Sequence, residues 1–224
     1  MKTVLIFSGG LDSTVLLYSL LDQGHTVSAL SIDYGQRHAR ELVAASSIAR
    51  VAKVPHRVVD ASSLRPLLAG SSQTSDVPVP FGHYTDQSMK VTVVPNRNML
   101  MLSIATAWAI SLKFDAIAYG AHAGDHAIYP DCRLQFVDAM RAALKLADWS
   151  PIELHAPFLS FTKANIVSIG HKLRVPFELT YSCYTGAPVH CGECGTCVER
   201  REAFQLAQVL DPTTYVQTRK TIPV

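Results

Sequence analysis

The chain has 224 residues, 48% hydrophobic and 17% charged, a composition that fits an ordinary globular protein and excludes disorder. Lys and Arg total 20 against 18 Asp and Glu, a net of +2 with no block of like charge, so a general nucleic-acid surface is not expected. The longest apolar stretch, 99–112, is broken by Ser103, Thr106 and Ser111 and is too short to span a bilayer; the N-terminal apolar run is too short for a signal-peptide core. The expectation is a cytoplasmic protein without a membrane partner.

Residues 3–7 read as a buried strand, and apolar residues then recur at helical spacing over 11–21, with Gly24 as the stop. A second strand is expected at 27–32, a helix at 41–51 and a third strand at 56–59. This strand–helix rhythm predicts an α/β protein with a doubly wound parallel sheet. Residues 62–95 break the rhythm with Ser71, Ser72, Pro78, Pro80 and Gly82, and 70–95 is expected to be a mobile lid. A buried helix follows at 97–112, a short strand at 116–119 and helices at 133–147 and 163–173. From Pro176 the composition turns to Cys and Gly, with a closing helix at 198–209. Residues 1–175 are therefore expected to form one domain, and 176–224 a small C-terminal lobe packed on it.

The loop Phe7, Ser8, Gly9, Gly10, Leu11, Asp12, Ser13, Thr14 sits where the first strand meets the first helix. Paired glycines let the backbone approach a ligand, free amides at a helix start attract anions, and the hydroxyls add donors. Asp12 would repel a phosphate unless a cation stood between them, so Mg²⁺ with ATP is expected. The loop is neither GxxxxGK[ST] nor GxGxxG; it resembles the SGGxDS signature of the pyrophosphatase-loop family. A loop that holds pyrophosphate, with no lysine for the terminal phosphates, suits attack at the α-phosphate and formation of an acyl-adenylate.

Cys183, Cys191, Cys194 and Cys197 have the spacing C-x7-C-x2-C-x2-C. Four thiolates on tight turns suit closed tetrahedral zinc, and an iron–sulfur cluster is the competing reading. His190 is expected to be a solvent-exposed neighbour of this knuckle, and Cys132 either a buried structural thiol or part of the site wall.

Several further motifs occur in a fixed order: Asp33-Tyr34-Gly35-Gln36-Arg37-His38, Pro95-Asn96-Arg97-Asn98, Tyr129-Pro130-Asp131-Cys132-Arg133, and Leu179 to Tyr184 before the cysteines. Over nearly the whole chain the sequence resembles the 7-cyano-7-deazaguanine synthase family of queuosine biosynthesis. That resemblance implies a Rossmann-like fold of the adenine nucleotide alpha-hydrolase type, and that 7-carboxy-7-deazaguanine is adenylated, converted to the amide by ammonia and activated again to give the nitrile. It places Tyr34, Gln36 and Arg37 with the ATP loop, and makes Asp12, Arg97, Asp131, Arg133 and Lys163 the catalytic candidates. The arginines and Lys163 offer cations for phosphates or the substrate carboxylate, and Asp131 a group that reads the base edge or acts as a base. A homodimer is expected, with ammonia taken from solution or a separate partner. Asn96 departs from the family's Gly, and Leu134 from its usual Pro. The polar run Gly120 to His126 is also not the commonest version, which leaves open an enzyme that stops at the amide or joins another amine.

Overall fold

The computed structural model describes residues 1–83, 89–125 and 129–216. Five strands form one sheet: β1 (Lys2–Ile6), β2 (Thr26–Asp33), β3 (His56–Asp60), β4 (Ala116–Ala118) and β5 (Glu153–His155). Their order is β3-β2-β1-β4-β5, and every neighbouring pair is parallel. Strand alternation divides the core. Leu5, Phe7, Val27 and Ala29 face α1 (Leu11–Asp22) and α2 (Arg40–Val51), while Val4, Leu30, Ile32 and Ile117 face α3 (Arg97–Ser111) and α4 (Leu134–Leu144). On the first face Ile166 and Val167 of α5 (Lys163–Lys172) and Ala203 and Phe204 of α6 (Gly195–Leu206) complete the layer. The doubly wound sheet expected from the rhythm is therefore present.

Local chemistry sets the element ends. Helix α1 closes with paired bonds, Gly24 N–H to the Leu21 carbonyl and His25 N–H to the Leu20 carbonyl, and Gly24 takes the left-handed φ of +78° that this ending requires. Helix α5 opens with a capping box between Thr162 and Asn165. Strand β5 was not foreseen; three residues with Leu154 buried between Glu153 and His155 give no readable period.

Helix α6 starts three residues before the expected 198, because the cysteine knuckle itself forms its first turn, with Cys194 as N-cap. The expected lid has a buried base. Ser71, Ser72, Gln73 and Thr74 are at most 3% exposed, and Ser72 N–H bonds the Val91 carbonyl at 2.8 Å. The part of that expectation falling on 84–88 lies outside the described residues, as does His126 of the polar run. Among the described residues no helix is long and apolar enough to cross a membrane.

Candidate active site

In a sheet of this order the connections leave β1 and β4 in opposite directions, and the crevice between their carboxyl ends is where ligands bind. A cavity of about 240 Å³ lies there, walled by the β1–α1 loop, the segment after β4, the start of α3 and the first turns of α5 and α6. The loop is held tightly. Gly9 has φ +74°, and a Cβ there would lie 2.4 Å from the Ala45 nitrogen, so only glycine fits. The Gly9 carbonyl accepts from Tyr181 N–H at 3.0 Å, and Ser8 Oγ accepts from Gly10 N–H at 3.2 Å and pairs with Ser13 Oγ at 3.0 Å. Gly10 is the N-cap of α1 without a side-chain cap, so the amides of the first turn remain available to an anion.

Charges converge on Asp12. Lys163 Nζ lies 3.5 Å from Asp12 Oδ2 and 2.5 Å from Glu199 Oε2. Burial would weaken that ammonium, but Asp12, Glu199 and Asp125 outweigh it and hold Lys163 protonated well above the lysine range. His122 is 2% exposed; its Nδ1 accepts from Gly124 N–H at 3.0 Å, so Nε2 carries the proton and points between Asp125, at 3.6 Å, and Asp12, at 3.9 Å. Burial pushes the Asp125 carboxyl up. The other oxygen of Asp12, Oδ1, is buried without a hydrogen-bond partner among the described residues. A bare carboxylate oxygen beside free amides fits a hard divalent cation that would arrive with a phosphate.

At the other end of the cavity Arg97 stands among tyrosines. Burial would lower its basicity, but Tyr34, Tyr184, Tyr129 and Cys132 outweigh it, so the guanidinium stays charged. Burial pushes the Tyr34 hydroxyl up to about 12, against the pull of Arg97. Tyr119, Tyr129, Met89, Met101 and Cys132 complete a largely apolar wall. Asn96 adopts φ +54°, the left-handed region that asparagine tolerates better than most residues, so it can replace glycine there. Leu134 is the first residue of α4, where a backbone donor has no helical partner; Leu and Pro are thus interchangeable in hydrogen bonding.

The structure brings Ser8, Gly10, Leu11, Asp12, Ser13, Tyr34, Arg97 and Lys163 to the cavity wall. Seven other candidates do not line it. Phe7 is core; Thr14 bonds the Gly10 carbonyl inside α1; Gly9 shapes the loop; Gln36 bonds Glu41; and Arg37 reaches the carbonyls of Ser75 and Val77. Asp131 Oδ2 accepts from Asn98 N–H at 3.2 Å and so caps α3 from outside. Arg133, the exposed N-cap of α4, is not among the lining residues. Glu199 and Asp125 were not singled out in the sequence, and Tyr181 and Tyr184 stood there only as members of the motif before the cysteines. Only the polarity of the run at 120–126 hinted at Asp125, and nothing near Glu199 distinguishes it from a surface helix residue.

The four cysteine sulfurs lie within 4.8 Å of one another. Cys183 to Cys194 is 4.0 Å and Cys191 to Cys197 is 3.9 Å, close to the ~3.8 Å edge of a thiolate tetrahedron around a metal ion at about 2.3 Å. The cluster fits a metal ion. The expectation of an exposed His190 is corrected: it is 7% exposed, packed between Tyr181 and Tyr215, and its Nε2 accepts from Ser182 N–H at 3.2 Å. Cys132 unites both of its readings, since it is buried and also lines the cavity.

The family described as "Queuosine biosynthesis protein QueC" matches residues 2–208. The chain is 47% identical over 214 residues to a 7-cyano-7-deazaguanine synthase of Pseudoalteromonas translucida, covering 96% of this chain and 98% of that one. It is 50% identical to one of Caldicellulosiruptor saccharolyticus, covering 96% of each. Among solved structures it resembles a 4-thiouridine synthetase in an RNA complex with bound ATP, at TM-score 0.55 and 18% identity, covering 92% of this chain and 50% of that one. It also resembles NMN synthetase from Francisella tularensis, at TM-score 0.53 and 15% identity, covering 83% and 68%. These two likenesses establish the fold.

Proposed function

The chain belongs to the QueC family of queuosine biosynthesis proteins, and from that premise we propose that it converts 7-carboxy-7-deazaguanine, ammonia and ATP to 7-cyano-7-deazaguanine. The observation that carries this reading is Asp12, with its bare Oδ1 and its neighbour Lys163, set beside the uncapped start of α1. Free amides and Ser8 and Ser13 hold the pyrophosphate, and Lys163 stabilises charge at the phosphate under attack. Asp12 is the carboxylate that would hold Mg²⁺, which supplies charge neutralisation on the phosphates. Tyr34 borders the nucleotide. Arg97 receives the substrate carboxylate, and the wall of Tyr119, Tyr129 and Met101 matches a flat heterocycle.

Attack by the carboxylate oxygen on the α-phosphate gives the acyl-adenylate and pyrophosphate; ammonia then gives the amide and AMP. A second activation, at the amide oxygen, permits elimination to the nitrile. Asp131 serves from behind the wall by capping the helix that carries Arg97, and Arg133 is read as a further cation at the start of α4. The four cysteines would hold zinc in a closed site without an open catalytic position. Residues 1–175 are read as the catalytic unit and 176–224 as the metal-binding lobe, whose Thr196 and Glu199 reach into the cavity. The enzyme is placed in the cytoplasm, as a homodimer that does not bind nucleic acid; sedimentation tests the dimer.

The test is incubation with 7-carboxy-7-deazaguanine, MgATP and ammonium, followed by mass spectrometry. Nitrile with AMP and pyrophosphate supports the reading. Amide without nitrile limits the reaction to its first half, and no AMP overturns the substrate assignment.

A further inference from the structure

We propose that His38 is the general base that takes the proton released when the nitrogen nucleophile bonds to the activated carboxyl carbon. The inference rests on the amide-forming reading above. His38 lies between β2 and α2, is 5% exposed and lines the cavity. Its Nε2 is 3.2 Å from Glu41 Oε2. Glu41 is fixed in turn, since its Oε1 accepts from Gln36 Nε2 at 2.9 Å and Gln36 Oε1 accepts from Tyr34 N–H at 2.9 Å. The remaining ring nitrogen, Nδ1, is buried without a hydrogen-bond partner among the described residues. A buried ring nitrogen left without a partner keeps its capacity to accept a proton from a donor that reaches it.

The carboxylate at Nε2 places the proton there and leaves the Nδ1 lone pair free. It also stabilises the imidazolium once Nδ1 is protonated, the arrangement of a base oriented by a third group. The other cavity histidine is set the opposite way. The His122 Nδ1 lone pair is occupied by Gly124 N–H, so that ring presents a proton and cannot accept one. Lys163 and Arg97 are held as cations.

The reaction requires such an acceptor. Acyl-adenylate and ammonia give amide, AMP and one proton: the nitrogen lone pair forms the C–N bond, the bond from carbon to the phosphate oxygen breaks, and AMP leaves with that electron pair. The nitrogen becomes positive as it attacks and must lose one proton, which moves to His38 Nδ1 and then to solvent.

Two partial reactions isolate the step. ATP–pyrophosphate exchange with 7-carboxy-7-deazaguanine and no ammonium reads activation; amide formation after ammonium is added reads C–N bond formation. For His38→Gln, amide formation should fall by at least about 10²-fold more than exchange, with the loss in kcat and not in KM for ATP. Glu41→Gln should shift the same ratio in the same direction by less. Exchange by the same preparation shows that the variant is folded. A parallel fall of both reactions in both variants, or an unchanged ratio, overturns the assignment. Absence of exchange in the unaltered protein overturns the functional reading itself.

Discussion

At the scale of single residues the site depends on charge and on two backbone conformations. Lys163 is the cation nearest Asp12, and removing one preorganised stabiliser of transition-state charge slows turnover by about 10²–10³-fold. Lys163→Met is therefore expected to lower kcat for AMP formation by that range, measured at saturating ATP. The two left-handed positions respond differently. Gly9→Ala adds a Cβ 2.4 Å from a backbone nitrogen at φ +74°. The conformational penalty alone is about 1–2 kcal/mol and the clash adds to it, so urea unfolding should show a loss of more than ~2 kcal/mol. Asn96→Gly keeps φ +54° without strain and should unfold within about 0.5 kcal/mol of the unaltered chain, which the same titration checks.

At the scale of elements, two of the helices that line the cavity, α3 and α6, are positioned from their ends. Asp131 caps α3, and Arg97 is that helix's first residue. Asp131→Ala should lower stability by about 1 kcal/mol in thermal unfolding and raise KM for the deazaguanine substrate as Arg97 loses its orientation. Asp131→Asn keeps an acceptor and should lie between the two; an equal effect of both variants would mean that the carboxylate charge, not the cap, matters. Helix α6 begins in the cysteine cluster and two turns later fills the core with Phe204. Buried Arg200 ties it to the Thr180 hydroxyl at 2.8 Å and the Phe177 carbonyl at 3.1 Å. The element boundary that could be read beforehand from chemical punctuation was Gly24 after α1. Strand β5 lacked it, and the start of α6 was hidden because Gly195 and two cysteines do not look like a helix.

For the whole molecule the four-cysteine cluster and the cavity are joined through one helix. Cys194 caps α6, Cys197 lies in its first turn, and Glu199 on the same helix holds Lys163 beside Asp12. One tightly held metal ion per chain is expected by elemental analysis. Structural zinc contributes on the order of 10–16 kcal/mol in small metal-folded peptides, comparable to a whole domain's stability. Chelation, or Cys197→Ser, should therefore lower the melting temperature sharply. It should also weaken ATP binding, because Glu199 would lose its position; a fall in melting temperature with unchanged ATP affinity would separate the cluster from the site.

The sequence alone carried whatever is written in local pattern. Hydrophobic period indicated the first four strands and the helices between them, and the loop from Ser8 to Ser13 and the cysteine spacing pointed toward phosphate and metal chemistry, because those functions need adjacent residues on one turn. What the tertiary structure decided are meetings between distant residues. Glu199 reaches Lys163 across 36 positions, Asp131 caps a helix 33 positions earlier, and the fixed lone pairs of His38 and His122 depend on which donors packing brings to each ring. Arg37 and Gln36, drawn toward the nucleotide by their motif, instead hold the loop and Glu41. A side chain's partners are set by the sheet order and the helix layers, which no local spacing records.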